Sequence, residues 1–117
     1  MFTIITNTGD YWELPYAKTF KGAKAELLLR FTVEEAKNIE ATLSWDDEDG
    51  DNIFLVESIN NNGQGDAFYE LADSWESAES WAAYDMEHNP HYVCKACRMS
   101  DFDDYTQTII TEQLLYN

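Results

Sequence analysis

The first apolar run, Phe2-Thr3-Ile4-Ile5-Thr6, is made of β-forming residues and stops at Asn7-Thr8-Gly9-Asp10, whose composition is that of a turn. Tyr11-Trp12-Glu13-Leu14 returns as the second strand of a hairpin, and Pro15 limits its far end. Thr19 is placed to cap a helix over Lys21 to Arg30. Thr32-Val33-Glu34-Glu35 has capping-box spacing, in which the hydroxyl and the carboxylate satisfy each other's backbone donors, and it predicts a second helix reaching toward Ala41. Asp46 to Asp51 reads as an acidic loop. Asn52 to Ile59 reads as a strand, Asn60 to Asp66 as a turn in which Asn and Gly accept positive φ, and Ala67 to Leu71 as the returning strand.

Asp73 or Ser74 then caps a helix from Trp75 to about Glu87. Trp75, Ala78, Ala82 and Met86 share one apolar face, Trp81 widens it, and Asn89-Pro90 stops the helix. His91 to Met99 reads as a strand, Asp101 to Asp104 as a turn, and Thr106 to Leu115 as a last strand. Phe102, Tyr105, Ile109 and Tyr116 also suit a helix there, but the Thr- and Ile-rich composition favours strand. The expected class is α+β: an antiparallel sheet built from hairpins, with two or three helices packed on one face. No repeat or proline-rich linker divides the 117 residues, so one domain is expected.

Composition changes this picture in one respect. The hydrophobic fraction of 44% supports a packed core, so the formal charge of −16 belongs to a folded surface and not to a disordered chain. The charge is unevenly placed. Lys18, Lys21, Lys24, Arg30 and Lys37 balance Asp10, Glu13, Glu26, Glu34 and Glu35, so residues 1–37 are neutral. The whole excess lies in residues 38–117, where the only cations are Lys95 and Arg98. Halophilic adaptation would spread acid over the entire surface, whereas an asymmetric excess steers a basic partner. Direct binding to nucleic acid or anionic lipid runs against the scarcity of Lys and Arg. Met1 is not followed by a basic region and a long apolar core, and no apolar run reaches the ~20 residues of a membrane span. Two cysteines without a secretion signal predict free thiols in a reducing, cytoplasmic compartment.

Candidate chemistry is sparse. His88-x-x-His91-x-x-Cys94-x-x-Cys97 holds zinc-ligand types, but all four lie close together on a strand-like segment. Residues three apart on a strand point to opposite faces, so Cys94 and Cys97 reach one ion only through a tight turn, and no glycine follows Cys97 to make one. The expectation is one thiol in the core, the other partly exposed, and no metal or other cofactor. A redox reading of Cys94-Lys95-Ala96-Cys97 needs a helix after the motif, and the helix precedes it. The acidic run 46–51 fails the EF-hand pattern in both registers, because neither Asp51 nor Asn52 is the required glycine. No nucleophile elbow or phosphate-cradling loop is present, so the chain reads as non-catalytic.

Sixteen net charges match roughly 27 Å of duplex at ~1.7 Å per charge, against a length of about 35 Å for a globule of this size. Carboxylates of 46–51, of the helix face within 70–87 and of 101–104 can stand in for phosphates. In size, charge and compactness the chain resembles the small acidic inhibitors of phages and mobile elements, the anti-CRISPR and anti-restriction DNA mimics. The resemblance implies occupation of a DNA- or guide-RNA-binding groove on a basic host protein or ribonucleoprotein. The residues expected to meet that partner are Asp46, Asp47, Glu48, Asp49 and Asp51 of the first segment, Glu76, Glu79, Asp85 and Glu87 of the helix, and Asp101, Asp103 and Asp104 of the last. Trp45 is either an exposed aromatic anchor beside them or the closure of the core beneath them. An immunity or antitoxin protein plugging one cognate basic toxin is the alternative function, and a metal-supported interaction module the third.

Overall fold

A computed structural model describes residues 1–60 and 67–116. Residues 61–66 of the expected turn lie outside them. Strands β1 (Phe2–Ile5), β2 (Tyr11–Leu14) and β3 (Thr42–Ser44) form one antiparallel sheet in the order β2-β1-β3. Strands β4 (Phe54–Asn60), β5 (Phe68–Ala72) and β6 (Tyr92–Arg98) form a second, in the order β5-β4-β6. Helices α1 (Phe20–Arg30), α2 (Val33–Asn38), α3 (Asp47–Asp51), α4 (Trp75–His88) and α5 (Asp104–Tyr116), with a 3-10 turn at Met99–Asp101, complete the described elements. The class is α+β with antiparallel pairing throughout, divided between two sheets.

Local signals account for most of these boundaries. Gly9 takes φ of +85° in the β1–β2 turn, which closes with Thr6 and Asp10 sharing a backbone bond of 3.1 Å. The Thr19 hydroxyl accepts from the Gly22 N–H at 3.1 Å, and Phe20, Ala23 and Leu27 bury one face of α1. Thr32 accepts from the Glu35 N–H, but its hydroxyl donates to the Glu35 carboxylate itself at 3.0 Å. The expected reciprocal bond to backbone is thus replaced by a side-chain pair. Helix α2 stops at Asn38, before the expected Ala41, because Glu40 turns to φ of +49° and Ala41 donates back to the Ala36 carbonyl.

Two apolar clusters share β4. Leu55 faces a large core with Ile4, Leu27, Met99 and Ile110, whereas Val56 faces Ala78 and Ala82 of α4. A central strand covered on both faces reads as a continuous apolar run, which is why Ile53 to Val56 does not alternate. β6 continues the same geometry: Cys97 enters the first cluster and Cys94 the second, each 4% exposed. The two thiols do point to opposite faces, but both are buried. The expectation of one partly exposed thiol fails because a layer covers each face of this sheet.

The C-terminal segment is a helix, against the strand expected for 106–115. Asp103 accepts from the Thr106 N–H at 2.8 Å and starts it. Ile110, Thr111, Leu114 and Leu115 form its buried face, and the Thr111 hydroxyl donates to the Gln107 carbonyl at 2.7 Å. Lys24 of α1 donates to the Leu114 carbonyl at 2.7 Å, and the Tyr116 hydroxyl donates to the Ala41 carbonyl. Packing of one apolar stripe on the core outweighs the β-propensity of the threonines and isoleucines. Tyr105 and Ile109 lie off that stripe and are exposed.

Candidate acidic interface

Cross-strand register explains where the acidic segments meet. Phe54, which opens β4, pairs with Ala72 at the end of β5 and with Arg98 at the end of β6. The chain before β4, after β5 and after β6 therefore leaves the sheet at one end. Those exits are residues 46–51, the start of α4 and residues 99–104. Three acidic stretches far apart in sequence converge because three strands share a row. Arg98 marks the junction: its guanidinium lies 4.2 Å from the Trp75 ring centroid and 5.7 Å from that of Phe54, stacking the start of α4 onto the sheet.

The segment 46–51 is a short helix and not the expected loop. Asp47, Glu48 and Asp49 occupy its first turn, where carboxylates complement the unpaired N–H groups. Gly50 is buried, and a Cβ there would lie 3.2 Å from Trp45 Nε1 and 3.8 Å from Ser100 Cβ. The glycine thus admits α3 against the indole and against the 3-10 turn Met99–Asp101. Met99 is fully buried and its N–H bonds the Ile53 carbonyl at 2.9 Å, zipping the two acidic segments together at their bases. Trp45 is half-buried, with ring centroids 6.2 Å from Phe2 and 6.0 Å from Phe20. It occupies the core-closing position of the two considered for it.

The carboxylates differ in what holds them. Asp46 and Asp49 accept from the Met1 ammonium at 2.7 and 2.5 Å, which raises the pKa of that amine. Asp101 accepts from the Arg98 N–H at 2.7 Å. The Thr106 hydroxyl and N–H hold the Asp103 carboxyl below its usual range. Asp47, Glu48, Asp51, Glu76 and Asp104 are exposed, and among the described residues their side chains make no hydrogen bond or ion pair. Glu79 lies about one turn along α4 from Glu76. Asp85 and Glu87 lie near the other end of α4, roughly 15 Å beyond Glu76 at 1.5 Å per residue, so the converging end does not include them. Asp85 instead faces Glu70, whose carboxyl is raised by burial first and by that like charge second.

Two further acids were missed in the sequence. Asp73 is exposed at the same converging end, immediately before the Ser74 cap, where it reads as a mere capping candidate. Glu57 is buried on β4, with the Tyr69 hydroxyl donating to it at 2.8 Å and Lys95 Nζ at 3.6 Å. Its place two residues after Leu55, on the same face of the strand, was the available signal. Among the described residues no three His, Cys, Asp or Glu side chains are grouped to hold a metal ion, and no helix is long and apolar enough to cross a membrane. His88 stacks on Tyr84 at the end of α4, with ring centroids 3.9 Å apart. No protein-family model, curated protein or solved structure shows significant similarity to this chain.

Proposed function

We propose that the chain is a non-catalytic inhibitor, acting in the cytoplasm of a host cell, that occupies the basic nucleic-acid-binding surface of a defence nuclease or ribonucleoprotein. It belongs functionally with the anti-CRISPR and anti-restriction DNA mimics, needs no cofactor and does not itself contact nucleic acid. The observation that carries this reading is the shared row Phe54–Ala72–Arg98, which gathers separate acidic exits at one end of the molecule. A charge of −16 spread along the 43 Å long axis amounts to one per roughly 2.7 Å, against ~1.7 Å in duplex DNA. The axis is longer than the 35 Å expected, so the average density falls short of DNA. Local convergence raises it at the acidic end, which supports a partial mimic engaging one stretch of a groove.

The test is competition. Purified CRISPR effectors and restriction nucleases are titrated with the protein, and loss of their DNA binding is measured at low and high salt. A cognate target should be blocked, and the block should weaken steeply with ionic strength. The variant Asp47→Asn, Glu48→Gln, Asp51→Asn, Asp104→Asn removes only carboxylates that hold no structural bond, so it should fold and lose most of the inhibition. Inhibition unchanged in that variant removes the proposal.

A further inference from the structure

The second sheet ends in an edge that the fold closes at its two ends and leaves open in the middle. Among the described residues β6 pairs with β4 alone, in continuous register from Asn60↔Tyr92 to Phe54↔Arg98. It spans 7 residues without a bulge or a proline. The Met99 N–H bond to the Ile53 carbonyl sets Val93, Lys95 and Cys97 toward β4, so the backbone of 92, 94, 96 and 98 points away from the sheet. The Tyr92 and Arg98 N–H groups are taken by the Asn89 carbonyl and the Asp101 carboxylate, which leaves those of Cys94 and Ala96 for an added strand, and proteins normally blunt such edges with bulges, prolines or lysines. Lys95, 66% exposed, is the one such device on β6, and its ammonium leans back across the strand pair toward Glu57, 3.6 Å away, and not out from the edge. The side chains beside the edge are also unfinished. Val93 and its cross-strand partner Ile59 are 50% and 41% exposed, on the face opposite Cys94 and α4.

We propose that the β6 edge receives an extended segment of the basic partner as an added strand. This rests on the acidic-interface reading and deepens it by stating the form of the segment. Running antiparallel to β6, the segment sets an apolar side chain opposite Val93, which continues the Ile59–Val93 row. Because Asp101 already holds the Arg98 N–H, the segment's amino-terminal end leaves the ladder beyond Ala96 and arrives at Asp101 and the free carboxylates of α3, whose surplus selects lysine or arginine. Charge complementarity thus fixes both the chemistry and the direction of the occupant. A second copy of this chain fits poorly: each carries −16, and pairing β6 with itself about its midpoint sets Lys95 against Lys95.

The test uses the intact protein and a fluorescein-labelled synthetic peptide with two amino-terminal lysines followed by alternating threonine and valine. Two twins of the peptide carry N-methyl groups on alternate backbone amides, in the two possible phases. Charge and side chains are the same in all three. Only one phase removes the donors that face β6, so one twin should bind at least tenfold more weakly than the other. Val93→Lys, a substitution at an exposed position, should weaken the parent peptide at least threefold, and alternate β6 amides should exchange more slowly in the complex. Equal binding by the two twins, or no binding by any peptide, overturns the added strand. A dimer seen by light scattering and dissociated by Val93→Lys overturns it in favour of a second copy. The nuclease competition is scored separately, so twins that bind alike while inhibition persists remove the strand and leave the acidic interface.

Discussion

Replacing Tyr69 with phenylalanine deletes one oxygen from the molecule and leaves the ring in place against Phe102, 5.6 Å away edge-on. The deleted hydroxyl is the closest donor to the buried Glu57 carboxylate, at 2.8 Å. The remaining partner, Lys95, is 3.6 Å away and its side chain is 66% exposed, so water screens it and it replaces little of what is lost. A hydrogen bond to a charged group contributes about 1.5–3 kcal/mol, which puts the cost of Tyr69→Phe near ~2 kcal/mol at pH 7. In a Glu57→Gln background the same bond reaches a neutral acceptor, and its loss should cost only about 1 kcal/mol. Urea unfolding of the four proteins in this cycle, followed by circular dichroism, therefore yields a coupling near ~1 kcal/mol.

The pH dependence supplies an independent check. Burial, the hydrogen bond to Glu57 and its negative charge all push the Tyr69 phenol above its ordinary value of 10.0. An acid raised in the folded state is still protonated there when the unfolded chain has begun to ionise. Its contribution is complete below pH 10.0 and declines as the pH rises beyond it. The gap between parent and Tyr69→Phe should accordingly narrow in alkaline buffer. Equal costs of Tyr69→Phe with and without the Glu57→Gln substitution, or a gap that does not change with pH, would refute the buried pair as described.

Three other outcomes follow from named contacts. Burial, then Glu57 and Asp101, push the Cys97 thiol up to about 11, so iodoacetamide at pH 8 should modify it at least a hundredfold more slowly in the folded protein than in urea; mass spectrometry of the alkylated peptides reads this, and equal rates would contradict its placement. Glu40→Gly relieves the side chain's strain at φ of +49° and should raise stability by about 0.5 kcal/mol after the entropy cost of glycine, measured as a shift in the urea midpoint. Asp103→Ala removes the carboxylate that caps α5, and its lowered pKa gives the sign: the loss of Tm relative to the parent is present above pH 3.8 and disappears as the pH falls through the lower folded value.

Features set within a few residues were legible in the sequence. Thr19, Thr32 and Ser74 each accept an N–H three residues on, and such caps need only the local chain. The β1–β2 hairpin, the stop of α4 before Pro90 and the alternation of Cys94 and Cys97 are equally local. So is the confinement of the excess charge to residues 38–117, which is a matter of counting. The segment 106–115 was not legible, because its threonines and isoleucines favour extended backbone until Ile110 and Leu114 find a core to cover. Trp45 and Gly50 were ambiguous for the same reason: their roles depend on each other and on Phe2, Phe20 and Ser100, which lie up to 55 residues away by number. How much acid the chain carries, and in which segments, can be read directly from its residues. That those segments meet is a consequence of folding, since a shared row of Phe54, Ala72 and Arg98 is a product of strand register, and register is settled by which faces of the sheet are buried.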